Sequence, residues 1–421
     1  MNILLKNIGS NLLLQVLTYA FPIIILPYVT LRIGESAFGA VSYYGMITGC
    51  LAVFVMFGFD HTGTKHVARA ENLDLQCKIF MEIQVLKWIL VCISAFILAA
   101  MLSFQWIDNS HPSIAWGSFI ATVGIGLQPN WFLQGKMEIQ KVVPYHFAFK
   151  ALAFFGTLLL VKNPNDVWIF VAITGLSVLL PAIFTSWIVM QRFTSIAIEL
   201  RFREVVHWLE AGKWMFGISV LLYLNQSLVL YIISVEESIE EVGIYSLGWR
   251  LMNAVMVLVL GPILNSLFPL SSKYLSHDKS ISRKWITQTS WKVLSILVLI
   301  IVPFSLGLHF AFPMAFSHEF QESLTIFKIL IAVPFFGTVT HIISIQYMVN
   351  IGKERNVLIK LLGASLPCWI VSIVLVKWHG IIGGALGSVL LELILMTVFI
   401  YQLWSQHGGE SMPLGKGRSQ N

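Results

Sequence analysis

Apolar residues run along this chain in unbroken stretches long enough to cross a lipid bilayer, and that feature decides most of what it can fold into. A spanning helix needs about 20 consecutive, mostly apolar residues. Twelve such stretches follow one another, near 11–31, 38–60, 83–104, 113–134, 143–161, 167–190, 213–234, 242–268, 286–310, 323–349, 356–376 and 381–404. The runs are continuous and not alternating, so they read as helices and not as the strands of an outer-membrane barrel. Composition agrees: 57% of the 421 residues are hydrophobic and 11% charged, against roughly a quarter charged in a soluble globular protein. So few charges cannot cover several soluble domains, and so apolar a chain is not disordered. The connecting segments are short, the longest near 191–212, which leaves no room for a soluble catalytic domain. The predicted fold class is therefore all-α integral membrane, with twelve transmembrane helices. The first run follows Lys6 without a small-residue cleavage site, and reads as a spanning helix, not a removed signal peptide. Cys50, Cys77, Cys92 and Cys368 are scattered, without a CxxC, and predict neither disulfide nor metal site.

The net charge of +6 becomes informative when divided by side. With the N-terminus placed inside, 17 Lys and Arg fall in inner segments, 3 in outer ones (Arg32, Lys162, Lys377) and 7 within the apolar stretches. The positive-inside rule then predicts that both termini are cytoplasmic. Orientation in a membrane accounts for the basic balance, and no nucleic-acid partner is needed.

The chain also carries traces of an internal repeat. Phe38-Gly39-Ala40-Val41-Ser42 is similar to Val242-Gly243-Ile244-Tyr245-Ser246, Gln134-Gly135-Lys136 to Ile351-Gly352-Lys353, and Leu160-Val161-Lys162 to Leu375-Val376-Lys377. An offset of six helices preserves orientation. The halves are thus expected to be parallel repeats about an axis along the membrane normal, with a central cavity suited to rocking alternating access. The predicted division is a six-helix lobe over 1–190, a cytoplasmic linker over 191–212, a second lobe over 213–404 and a cytoplasmic tail over 405–421.

Several short motifs, taken as a set, resemble O-antigen flippases of the Wzx type. They are Pro27-Tyr28-Val29-Thr30 with Gly34 and Phe38-Gly39, Phe57-Gly58-Phe59-Asp60, Asn130-Trp131-Phe132-Leu133-Gln134-Gly135-Lys136, and Val242-Gly243-Ile244-Tyr245-Ser246 leading to Arg250. Pro269-Leu270-Ser271-Ser272-Lys273-Tyr274 and Gly380-Ile381-Ile382-Gly383-Gly384-Ala385 complete the set. The wider group is the multidrug/oligosaccharidyl-lipid/polysaccharide exporter superfamily, and the resemblance implies its two-lobed twelve-helix fold. It also implies a substrate, an oligosaccharide unit on undecaprenyl pyrophosphate, moved from the cytoplasmic to the periplasmic leaflet of a bacterial inner membrane. Membrane lipids, an O-antigen polymerase and a chain-length regulator are the implied partners, and no cofactor is implied. Two rival readings stay open: an exporter of drugs or of another lipid-linked glycan, and a polytopic enzyme of the same pathway. The latter would call for a large outer loop or clustered carboxylates and histidines.

Charges inside a bilayer are costly and tend to face a cavity. Arg250, in the outer half of helix eight, is the first candidate for a dianionic pyrophosphate, since its guanidinium is a permanently charged fork. Lys150 and His146 lie one turn apart on helix five and share a face. Asn225 and Asn253 could hydrogen-bond sugar hydroxyls or neighbouring helices. Lys87 and Lys292 lie about a turn from the inner surface, where they would snorkel or form a cationic vestibule. Arg32 stands at the outer end of the first hairpin. Glu392 and Asp60 are the candidates for proton coupling, Asp60 being expected to pair with Lys65 or Arg69. Gly58 to Lys65 does not follow the phosphate-loop order, and no HExxH occurs, so neither ATP hydrolysis nor metal catalysis is indicated.

Overall fold

The computed structural model describes residues 2–193, 202–261, 263–264 and 282–408. Among these residues every regular element is helical. In order they are α1 Asn2–Met56, α2 Phe59–Arg69, α3 Leu73–Ser103, α4 Pro112–Leu127, α5 Asn130–Gly135, α6 Val143–Leu160, α7 Val167–Met190, α8 Phe202–Glu236, α9 Ile239–Val255, α10 Ser282–Ala315, α11 Gln321–Leu330, α12 Val333–His341 and α13 Glu354–Gly408. Single-turn helices fill several connections, and π-helical segments follow α9 over Met256–Leu260 and α12 over Ile342–Val349. The residues 194–201, 265–281 and 409–421 lie outside the described set. With them go Lys273, much of the 191–212 linker and nearly all of the tail predicted over 405–421.

Among the described residues seven helices are long and apolar enough to cross a membrane, or eight if the bent pair His318–Leu330 and Val333–Val349 is one span. Two of them are double length, at 50 and 52 residues. Straight, each would extend about 75 Å at 1.5 Å per residue, more than twice the roughly 30 Å hydrocarbon core. Each breaks at one glycine: Gly34 has φ 76° and ψ 177°, Gly380 φ 56° and ψ −139°. Positive φ is cheap only for glycine. Past Gly380 the chain returns along itself, with Gly383 seated on the Leu375 carbonyl and Gly387 on the Ser372 side chain. The dihedrals stay helical through Pro22 and Pro27, so α1 breaks at Gly34 and not at its prolines.

Two stretches read as uninterrupted spans are broken in the structure. Residues 38–60 are helical only to Met56, because Phe57 (φ 42°) and Gly58 (φ 72°) turn the chain out of the helix. The polar α2 follows. Residues 113–134 are helical to Leu127, and Pro129, without an N–H to donate, ends the span before α5 begins. The short helices then pack on one another. Gly63 admits the Trp131 ring, and the Thr64 hydroxyl donates to the Trp131 carbonyl at 3.0 Å. Elsewhere small residues let helices approach, as Gly117 does against Val171 and Gly124 against Leu179 where α4 meets α7.

The buried residues form two clusters. One joins the N-terminal half to Val229–Met252, Phe312–Val333 and Val376–Ala385, the segments around the Glu236–Ile239 turn and Gly380. The other lies wholly between Ile218 and Leu403. The two halves therefore share one core around the end that carries those turns, and they also meet toward the other end, where Phe216 of α8 stacks on Phe57 and Tyr223 donates to the Met46 carbonyl at 2.7 Å.

Candidate functional site

At the end that carries those turns α1 and α9 cross through their repeated sequence. A Cβ on Gly243 would lie 2.5 Å from the Glu35 carbonyl oxygen and 3.1 Å from the Gly39 nitrogen, and one on Gly39 would collide with the Ile239 carbonyl. A shift of 204 residues carries Glu35 to Ile239 and Gly39 to Gly243 and so exchanges the two contacts, and each copy of the motif receives the other reciprocally, as in a two-fold interface. One turn further in, the hydroxyls of Ser42 and Ser246, 204 residues apart, are 2.7 Å apart and buried. Ser238 starts α9 by accepting from the Glu241 amide at 3.3 Å, and Glu240 and Glu241 lie in the first turn, where the helix dipole favours them.

Arg250 sits on this seam. One of its terminal nitrogens donates to Ser42 Oγ at 3.4 Å, and its guanidinium lies 5.1 Å from the centre of the Phe38 ring. Because Ser246 Oγ donates to the Gly243 carbonyl at 3.0 Å, the hydrogen bonds run in one direction, from Arg250 through Ser42 and Ser246 to the α9 backbone. Among the described residues Arg250 forms no ion pair. A half-buried guanidinium held by a hydroxyl and a ring keeps most of its charge free for an anion.

Lys150 is 8% exposed, and its ammonium donates to Ser177 Oγ at 3.2 Å. It too lacks a carboxylate among the described residues. His146, a turn earlier, contacts the Gln128 side-chain nitrogen through Nε2 at 3.1 Å, so this ring nitrogen acts as the acceptor. Lys150 and His146 are both buried and follow one face of α6, as their spacing predicts. Asn225 is buried and accepts from the Trp369 indole at 3.0 Å, while its amide nitrogen has no partner among the described residues. Asn253 is half-buried on α9. Glu392 is half-buried without a hydrogen-bond partner among the described residues, near Gly337 and the Met256 methyl at the start of a π-helical segment.

The remaining candidates lie apart from these groups. Arg32 is exposed and stacks over Tyr28 at 5.4 Å, and Lys292 is exposed. Lys87 neither snorkels nor lines a vestibule: its side chain is fully buried and bonded to Asp60 at 2.7 Å, with the Trp131 ring 6.0 Å away. This replaces the expected pairing of Asp60 with Lys65 or Arg69. The break at Phe57-Gly58 aims Asp60, at the start of α2, toward α3 and not along its own helix. Nearby, Trp208 donates to Glu82 at 2.8 Å and Lys78 lies 3.9 Å from Glu204. In the loop before α6, Glu138 binds Lys141 at 3.0 Å and also Arg192. Burial pushes its pKa up, but the two cations outweigh that and hold it below the usual carboxylate value.

Paired, double-length apolar helices around polar groups buried mid-helix define a multi-pass membrane protein. By a match over residues 4–275 to the polysaccharide biosynthesis protein family, the chain belongs to that family. It is 23% identical, over 93% of both chains, to an Escherichia coli (strain K12) protein named "Putative O-antigen transporter". Its fold is similar to that of the lipid II flippase MurJ in an inward closed conformation, with TM-score 0.66, 13% identity and coverage of 95% of this chain and 87% of that one. It is similar also to an outward-facing multidrug resistance MATE family transporter of the MOP superfamily, with TM-score 0.63, 14% identity and 97% of both chains covered. At these identities the solved structures speak to fold alone.

Proposed function

We propose that the protein is a flippase that carries an undecaprenyl-pyrophosphate-linked O-antigen oligosaccharide from the cytoplasmic to the periplasmic leaflet of a bacterial inner membrane. The observation that carries this reading is the pair of intramembrane cations without carboxylates, Arg250 on the seam and Lys150 on α6. An unpaired charge at such depth is expensive, and a dianionic headgroup would offset that cost during passage. The family match and the O-antigen transporter relative support the glycan part of the substrate.

Twelve passes suit the elements, with the double helices counted twice, the bent pair once, and the shorter α4 and α9 included. Two six-helix lobes, over 1–190 and 213–404, then face each other with both termini in the cytoplasm. In this orientation the Gly39–Gly243 seam closes the outer end, and the headgroup leaves when the seam parts. Asn225, through its unpartnered amide, and Asn253 serve sugar hydroxyls. Glu392 is the proton-coupling candidate, whereas Asp60, bound to Lys87, holds the inner end of the first lobe. A polymerase and a chain-length regulator are the expected downstream partners.

Complementation tests the proposal. In a deletion strain, wild-type protein restores the surface polysaccharide ladder, whereas Arg250→Ala and Lys150→Gln leave lipid-linked units inside while protein remains in the membrane. Arg250→Lys retains part of the activity. A normal ladder with both Arg250→Ala and Lys150→Gln would refute the headgroup role of these cations.

A further inference from the structure

Beside the seam, at the same end of the molecule, a cleft of 810 Å³ opens between the loop after α3, the start of the second half of α1 and the last turns of α8. This is within the range of roughly 300–1,000 Å³ typical of ligand sites. The loop wall is built deliberately. Tyr44 Oη donates to the Asp108 carbonyl at 2.9 Å, and the Asp108 amide donates to Tyr43 Oη at 3.4 Å, so two tyrosines of α1 hang the loop in place. Gln105, in that loop, holds φ 55°, a left-handed conformation costly for a residue with a Cβ. Such strain persists only where the surroundings over-determine it.

Two further aromatic residues line the cleft from different segments, and one of them, Trp106, stacks on Phe104 at 5.7 Å between ring centres. Trp106 of the loop is 71% exposed and Tyr231 of α8 is 46% exposed. Among the described residues neither the indole nitrogen nor the Tyr231 hydroxyl has a hydrogen-bond partner. Asp108 lines the same cleft. Burial pushes its carboxyl up, but hydrogen bonds from the Ser110 hydroxyl and amide and from Tyr44, with His111 nearby, hold it below the usual range, so it is ionised at neutral pH.

Exposed aromatic rings and a carboxylate lining one cleft suit a chain of sugar rings. Pyranose C–H faces pack on aromatic rings, and paired hydroxyls donate to a carboxylate in charge-assisted bonds. A fixed negative charge makes the cleft a poor place for a pyrophosphate or an anionic lipid headgroup. Because its walls come from both halves, an occupant bridges the seam. We propose that this cleft is a docking site for the neutral oligosaccharide moiety, separate from the cations that face the pyrophosphate, and that it receives the glycan on the outer side. The inference rests on the flippase reading and adds to it where the sugar is held.

The test uses the full-length protein in phosphatidylethanolamine/phosphatidylglycerol nanodiscs. The probe is the water-soluble, phosphate-free oligosaccharide released by mild acid from the lipid-linked pool of the same cells. Saturation-transfer NMR and a thermophoretic titration are expected to show saturable binding to wild type, weakened about ten-fold or more by Tyr231→Ala and by Asp108→Asn. Tyr231→Phe, which keeps the ring, binds like wild type. Unweakened binding in Tyr231→Ala and Asp108→Asn overturns the proposal. So does the absence of saturable binding to wild type, which would leave Trp106 and Tyr231 as interfacial anchors or as a surface for another protein. The two readings fail differently. An unchanged ladder on deletion removes the flippase, whereas a ladder lost on deletion with full binding by the cleft variants removes the cleft alone.

Discussion

Replacing Gly243 by Ala adds one methyl group where the helices of the two halves meet. Its nearest neighbour would be the Glu35 carbonyl oxygen at 2.5 Å, and the Gly39 nitrogen would lie at 3.1 Å. Atoms of this kind rest at about 3.5 Å, so α1 and α9 must move apart by about 1 Å. Overpacking of this size costs about 1–3 kcal/mol. The strain exists only while the seam is closed, so it lowers the closed-to-open ratio by roughly 5–150-fold. Because the contact is reciprocal, Gly39→Ala acts in the same direction. Spin labels at Lys162→Cys and His318→Cys, exposed positions near the seam end on opposite halves, report the change by double electron–electron resonance. Both alanine variants are expected to move population to longer distances, and Gly45→Ala, which meets nothing within 4 Å, is expected to match wild type. Unchanged distributions in both variants would refute the seam as a closure, and equal shifts in Gly45→Ala would attribute them to helix propensity.

Asp60→Asn leaves the fully buried Lys87 ammonium unpaired and is expected to cost about 3–5 kcal/mol, most of it recovered in Asp60→Asn/Lys87→Met; additive costs in a thermal or denaturant series would contradict the pairing. Glu138, with its pKa depressed in the fold, contributes stability that is present above the ordinary carboxylate range and lost as pH falls through the depressed value. Its side chain is 26% exposed, so the contribution is about 1 kcal/mol or less; Glu138→Gln should lower stability at pH 7 and flatten the acid limb of a stability–pH curve, and an unaltered limb counts against it. Gly380→Ala forces a side chain onto φ 56° at the turn of α13, with an expected loss of about 1–2 kcal/mol by thermal unfolding, and no loss would remove the requirement for glycine there.

Much of this fold is written in hydropathy, because lipid imposes length and apolarity on each span whatever its neighbours are. The likeness of Phe38–Ser42 to Val242–Ser246 was legible as a repeat, though not as a contact, and Lys150 with His146 followed from helical spacing. The Asp60–Lys87 pair was not legible in this way. Partner choice across 27 residues depends on the direction set by the turn at Phe57-Gly58, and a positive φ at Phe57 has no sequence signature. The stop at Pro129 does have one, yet the apolar run through Trp131-Phe132-Leu133 masked it. The cleft beside the seam depends on three separate segments, of which only Asp108 carries a charge; exposed aromatic residues there look like ordinary interfacial anchors until the loop's suspension from Tyr43 and Tyr44 is seen.

The reciprocal crossing of α1 and α9 has a consequence for direction. It is a homodimer interface fused into one polypeptide, and a true homodimer must put the same side chain on both walls. A fused one is released from that obligation. At the offset that matches Gly39 to Gly243 and Ser42 to Ser246, the position opposite Arg250 is Met46. At this position one wall carries a charge and the other an apolar side chain. An amphiphile with an anionic head and a hydrocarbon tail would meet two unlike walls on the way through, and could keep one orientation for the whole journey without any further guide.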